Sequence, residues 1–93
     1  MAAKVRAHVY IQGRVQGVFY RDWTKRLANS LDLTGWVRNL TDGRVEAVFE
    51  GEKKMVKKMA GECKAGPKIA SVSHVDVIWE KATGEFKDFA IIG

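Results

Sequence analysis

Val5, Ala7, Val9 and Ile11 alternate with Arg6, His8, Tyr10 and Gln12, so one face of the segment from Lys4 to Gln12 is apolar. That period of two predicts a half-buried strand. Trp23, Leu27, Ala28 and Leu31 then recur at helical spacing, with Asp22 in the first turn where the helix dipole favours an anion. A helix is predicted over about Arg21 to Leu31. In "TGWVRNLTDGRVEAVFEG" two β-rich runs flank Asp42-Gly43, a dipeptide suited to a tight hairpin turn with positive φ. Met55, Val56, Met59, Ala60 and Cys63 share one face of a second helix, Lys53, Lys54, Lys57, Lys58 and Lys64 take the others, and Gly66 and Pro67 end it. "VSHVDVIWE", residues 72–80, reads as a fourth strand with Val75, Val77 and Trp79 on one face. "FKDFAII" reads as a short fifth whose partner the pattern does not name.

The order is βαββαβ followed by an extra C-terminal β segment. Because each β-α-β crossover prefers the same hand, both helices must cover the same face of one sheet. The predicted fold is α+β, a ferredoxin-like two-layer sandwich. Residues 1–93 read as a single domain, with no linker, repeat or low-complexity tract to divide them.

A content of 46% hydrophobic and 29% charged residues excludes a disordered chain. The lone Cys63 excludes a disulfide framework and fits a reducing compartment. No apolar run approaches membrane-spanning length and none follows a basic start as in a secretion signal, so a cytoplasmic protein without a membrane partner is expected. Sixteen Lys and Arg against eleven Asp and Glu give a net charge of +5, which favours anionic partners without choosing among nucleic acid, acidic lipid and phosphorylated metabolites.

Most chemistry-bearing side chains have plain explanations. Cys63 lies on the apolar stripe of the second helix as a filler, and His8 and His74 stand singly on strands without partners at metal-ligand spacing. The helix lysines read as a solvated face. "GRVQGVFYR", residues 13–21, differs: it holds no Ser, Cys, His or carboxylate, and its glycines fit neither a P-loop nor a dinucleotide fingerprint. A strand-to-helix loop so relieved of bulk can turn successive N–H groups inward, as a nest for an anion at the positive end of a helix. Arg21 at the exit would add a planar fork suited to a tetrahedral oxyanion. Loop pattern alone leaves open the simpler alternative of a sharp glycine turn beside a surface arginine.

Together with "GWVRNLTDGRVEAVFEG", residues 35–51, this loop resembles the two signature segments of the acylphosphatase family. Gly13, Val15, Gln16, Gly17, Val18 and Arg21 match the first segment; Gly35, Trp36, Val37, Asn39, Gly43, Val45 and Gly51 match the second. The resemblance spans essentially the whole chain. It implies a ferredoxin-like enzyme that hydrolyses the carboxyl–phosphate bond of acyl phosphates, releasing carboxylate and inorganic phosphate. By it, Arg21 binds substrate, the backbone of Val15, Gln16, Gly17, Val18, Phe19 and Tyr20 cradles the phosphoryl group, and Asn39 positions the attacking water. Tyr20 departs from the Phe or Met more usual there, and its hydroxyl needs a partner if buried.

An acyl phosphate already carries a good leaving group and reacts through a loose transition state, so no strong base is needed. Neutralising the phosphoryl oxygens and holding one water in line is enough. We therefore expect no metal and no cofactor, a monomer, a small-molecule acyl phosphate as substrate, and inorganic phosphate or sulfate as competing ligand. RNA-recognition domains share the βαββαβ order, and "VYIQG" with Tyr10 passes for the weaker of their signatures. The third strand, "RVEAVFEG", offers Glu46 and Glu50 with Phe49 as its one aromatic, so no nucleic-acid partner is expected.

Overall fold

The alternation of Val, Ile and Ala along the strands leaves one apolar face that only helices with an apolar stripe can cover. The computed structural model describes residues 3–93 and orders them β1 (Lys4–Arg14), α1 (Tyr20–Ser30), β2 (Thr34–Asn39), β3 (Val45–Glu52), α2 (Lys53–Cys63), β4 (Ser71–Lys81) and β5 (Phe89–Ile91). One five-stranded sheet runs β4-β1-β3-β2-β5. β1 is antiparallel to both β3 and β4, β2 is antiparallel to β3, and β5 is parallel to β2. This is the ferredoxin-like α+β fold that the order of elements predicts. α1 starts one residue before the predicted position, and β4 extends one residue further at each end.

Register explains the core. Val37, Ala47, Val9 and Val77 form one row across the sheet; Gly35, Phe49, Ala7 and Trp79 form the next. Ala28 of α1 and Val56, Met59 and Cys63 of α2 join the buried strand residues in a single cluster, so both helices lie over this face. Leu27 packs against the cluster but is only partly buried. Burying a ring such as Phe49 contributes about 2–3 kcal/mol. Gly35 pairs with Phe49 on one side and Phe89 on the other, and these two rings stack with centroids 5.4 Å apart. A Cβ on Gly35, whose φ is 136°, would stand 1.8 Å from the Val48 carbonyl oxygen. Trp79 ends its row on the edge strand and stays half exposed, so its place on the apolar face does not make it core.

The other face carries charge. Glu46 and Glu50 are nonetheless buried there. Glu46 is held by Arg38 at 2.7 Å and His8 at 2.7 Å, and Glu50 by Arg6 at 2.6 Å. Glu50 also accepts from the N–H groups of Thr83 and Gly84, each at 3.0 Å, which fastens the β4–β5 connection to the sheet. Phe49, the one aromatic of β3, is in the core. The expected tight turn at Asp42-Gly43 is a longer loop, closed by the Leu40 N–H donating to the Arg44 carbonyl at 2.8 Å. Its cause is the Asp42 carboxylate, which accepts from the Arg44 N–H at 3.1 Å and leaves only Gly43 with positive φ. Among the described residues no helix is long and apolar enough to cross a membrane.

Candidate active site

β1 loses its regular pairing at a bulge between Gln12 and Gly13, and the chain turns over the end of the sheet toward α1. Val15 and Val18 sink into the core, so the loop is pinned by side chains while its backbone faces outward. Gly17 has φ 72° and Phe19 φ 63°, two left-handed residues around Val18. Such reversals aim consecutive N–H groups toward one side. For Phe19 the conformation costs about 1 kcal/mol, so the surrounding fold must impose it. Phe19 is also the N-cap of α1 and caps it with no side chain. The first-turn N–H groups of a helix have no intrahelical acceptor. Among the described residues, nothing accepts from the backbone N–H groups of Gln16 to Asp22.

Arg21 follows in the first turn of α1, half-buried and without an ion pair among the described residues, while its neighbour Asp22 pairs with Arg26 at 3.0 Å. Tyr20 points the other way. Its buried hydroxyl donates to the Cys63 carbonyl at 2.6 Å, supplying the partner that a tyrosine at this position needs. Burial pushes the Tyr20 phenol up, and burial pushes the Cys63 thiol up to about 12, so Cys63 is a filler with no thiolate for nucleophilic chemistry. His8 and His74 pair with Glu46 and Asp76. Among the described residues no group of three His, Cys, Asp or Glu side chains is placed to hold a metal.

Asn39 closes β2. It lies opposite Val45, which lies opposite Ile11, so its side chain shares the helix-covered face at the end of the sheet where the loop crosses. Its Oδ1 is buried and accepts no hydrogen bond among the described residues. Gln16 spans the gap between the two segments: its Nε2 donates to the carbonyls of Leu40 at 2.7 Å and Arg44 at 2.9 Å. Both feet of the loop beside Asn39 are thereby tied to the backbone that leads into Arg21.

A cavity of about 330 Å³ opens beside Arg21, lined by Val15, Gly17, Phe19, Tyr20, Arg21, Asp22 and Ile91. The acylphosphatase family profile matches residues 7–91. The chain belongs to the acylphosphatase family. The curated acylphosphatase of Roseiflexus sp. (strain RS-1) is 55% identical over 92 residues, covering 99% of either chain. Among solved structures, an acylphosphatase from Coxiella burnetii superposes with a TM-score of 0.88 at 37% identity, covering 97% of this chain and 94% of its own. The acylphosphatase from Bacillus subtilis gives 0.92 at 29% identity, with 96% and 99% covered. Acyl phosphate hydrolysis, with a small-molecule substrate, is the activity that membership in the family carries.

Of the residues the acylphosphatase resemblance singled out, Val15, Gly17, Phe19, Tyr20 and Arg21 line the cavity. Gln16, Val18 and Asn39 do not: Val18 is core, Gln16 reaches to the hairpin loop, and Asn39 stands beyond it at the end of β2. Two further lining residues, Asp22 and Ile91, were not marked as site residues by any motif. Ile91 arrives through parallel pairing of β5 with Val37 of β2, which no local pattern encodes. The tie made by Gln16 had one faint signal, a lone amide in a loop otherwise of glycine, apolar and basic residues.

Proposed function

We propose that this chain hydrolyses acyl phosphates by direct attack of a bound water on phosphorus, without a metal. The run of N–H groups from Gln16 to Asp22 that have no acceptor among the described residues, ending beside an Arg21 without an ion pair among them, is the observation that carries the proposal. These groups and the guanidinium offer to the phosphoryl oxygens the positive charge that a metal supplies elsewhere. The buried, unpartnered Oδ1 of Asn39 supports a second role, accepting a hydrogen bond from the water and holding it in line. As the water oxygen bonds to phosphorus, the bond to the carboxyl oxygen breaks and the carboxylate departs with the electron pair. The water proton passes to a phosphoryl oxygen, so no side-chain base takes part.

Inorganic phosphate and sulfate are competing ligands of the same loop. The protein works as a cytoplasmic monomer, which the single buried thiol of Cys63 fits. The test is phosphate release from acetyl and benzoyl phosphate with excess chelator present. Undiminished turnover is expected, and phosphate monoesters should be poor substrates because the site offers no acid for an alkoxide leaving group. Activity that disappears with chelator and returns with a divalent ion would refute the metal-free course.

A further inference from the structure

The lining of the cavity beside Arg21 is of two kinds. Arg21 and the loop backbone offer a cation and N–H groups, fit for a phosphoryl group. The side chains of Phe19 and Ile91 are apolar: 73% and 40% exposed, they come from the loop before α1 and from β5 and line the same opening. Packing does not account for Phe19, since its loop neighbours Val18 and Tyr20 are buried while it stands outward in a left-handed conformation that disfavours a large side chain. Charge on the lining is sparse. Arg21 is its one cation, and Asp22, its one anion, pairs with Arg26.

Resting on the hydrolysis proposed above, we infer that Phe19 and Ile91 form the subsite for the acyl group and select acyl phosphates whose acyl part is apolar and uncharged, aromatic ones most of all. With the phosphoryl end fixed at Arg21, the acyl end lies against what lines the remainder of the cavity. A phenyl ring there removes apolar surface from water on both sides and meets the face or edge of Phe19. A second carboxylate on the acyl group finds no second cation and faces Asp22 instead. Contacts to this non-reacting part of the substrate are available to lower the barrier as well as to bind.

The experiment compares kcat/KM for benzoyl, acetyl and 4-carboxybenzoyl phosphate in wild type and three variants. Phe19→Ala and Ile91→Ala should each lower the benzoyl-to-acetyl ratio about tenfold, the size expected for losing apolar contact to one substrate group. Using the ratio cancels any general damage to the loop or to β5. Ile91→Lys should raise the 4-carboxybenzoyl-to-benzoyl ratio about tenfold, a gain that unfolding cannot mimic. A benzoyl-to-acetyl ratio unmoved in either alanine variant overturns the subsite, as does an Ile91→Lys variant that shows no gain. Failure of the hydrolysis itself is distinct, because the wild type would then release phosphate from none of the three substrates.

Discussion

Arg21 and Asn39 carry opposite electrostatic demands. In the mechanism proposed above, the first offers charge to the phosphoryl oxygens in the bound substrate and in the transition state alike; the second offers one neutral acceptor to a water. Arg21→Lys keeps the charge and loses the fork, so phosphate inhibition and kcat/KM should weaken together, kcat/KM by about 10²-fold, measurable by steady-state kinetics with phosphate as inhibitor. Asn39→Ala should leave the phosphate inhibition constant near wild type while kcat falls about 10²-fold. An Asn39→Ala enzyme at full kcat would remove the water-positioning role. Both residues were singled out in the sequence because each sits in a segment that resembles a family signature. What the sequence withheld was the neighbourhood: that Asn39 Oδ1 and the Arg21 guanidinium lack partners among the described residues depends on contacts that other residues do not make.

Elements with a clear period were legible in full, whereas the fifth strand was legible as a strand but not in its place. β1, α1, β3, α2 and β4 each repeat at period two or near 3.6 over enough residues to declare themselves. β5 spans only Phe89–Ile91, too few residues to show a period, and its parallel place beside β2 is set by the free edge there and by the Phe89 ring stacking on Phe49. The hairpin loop was misjudged because its length follows from the Asp42 side chain binding the Arg44 N–H, a choice the Asp-Gly dipeptide does not force. Between these elements the Gln16 amide acts as the tie. Gln16→Met removes both donors at similar length, and Gln16→Glu turns donors into acceptors facing two carbonyls. Each should lower urea-unfolding stability by about 1–2 kcal/mol. Each should also reduce kcat about tenfold or more, since a displacement of about 1 Å at the reacting centre is enough. Unchanged kcat in both variants would make the tie purely structural.

For the molecule as a whole, acid is the predicted weakness. Burial pushes the Glu50 carboxyl up, but the N–H groups of Thr83 and Gly84 and the Arg6 guanidinium outweigh it and hold it below its ordinary value of 4.5. Glu46 is lowered likewise: burial is opposed by His8, Arg38 and Tyr10. Both groups bind protons more weakly folded than unfolded, so the stability they contribute is present above about pH 4.5 and is lost as the pH falls below it through the folded values. Urea midpoints measured from pH 7 to pH 3 should fall over that lower range, and Glu50→Gln should flatten the fall. One consequence of the sheet order concerns time. β1 is an interior strand, yet its partners β3 and β4 lie far along the chain, with Val5 pairing with both Gly51 and Lys81. Val9 can be covered only after long loops have closed, and the entropy of closing them is spent before any contact repays it. The chain should therefore fold at a rate set by topology rather than by its helices, and the loop between β1 and α1, proposed above as an anion nest, should take its final shape only with the strands around it in place.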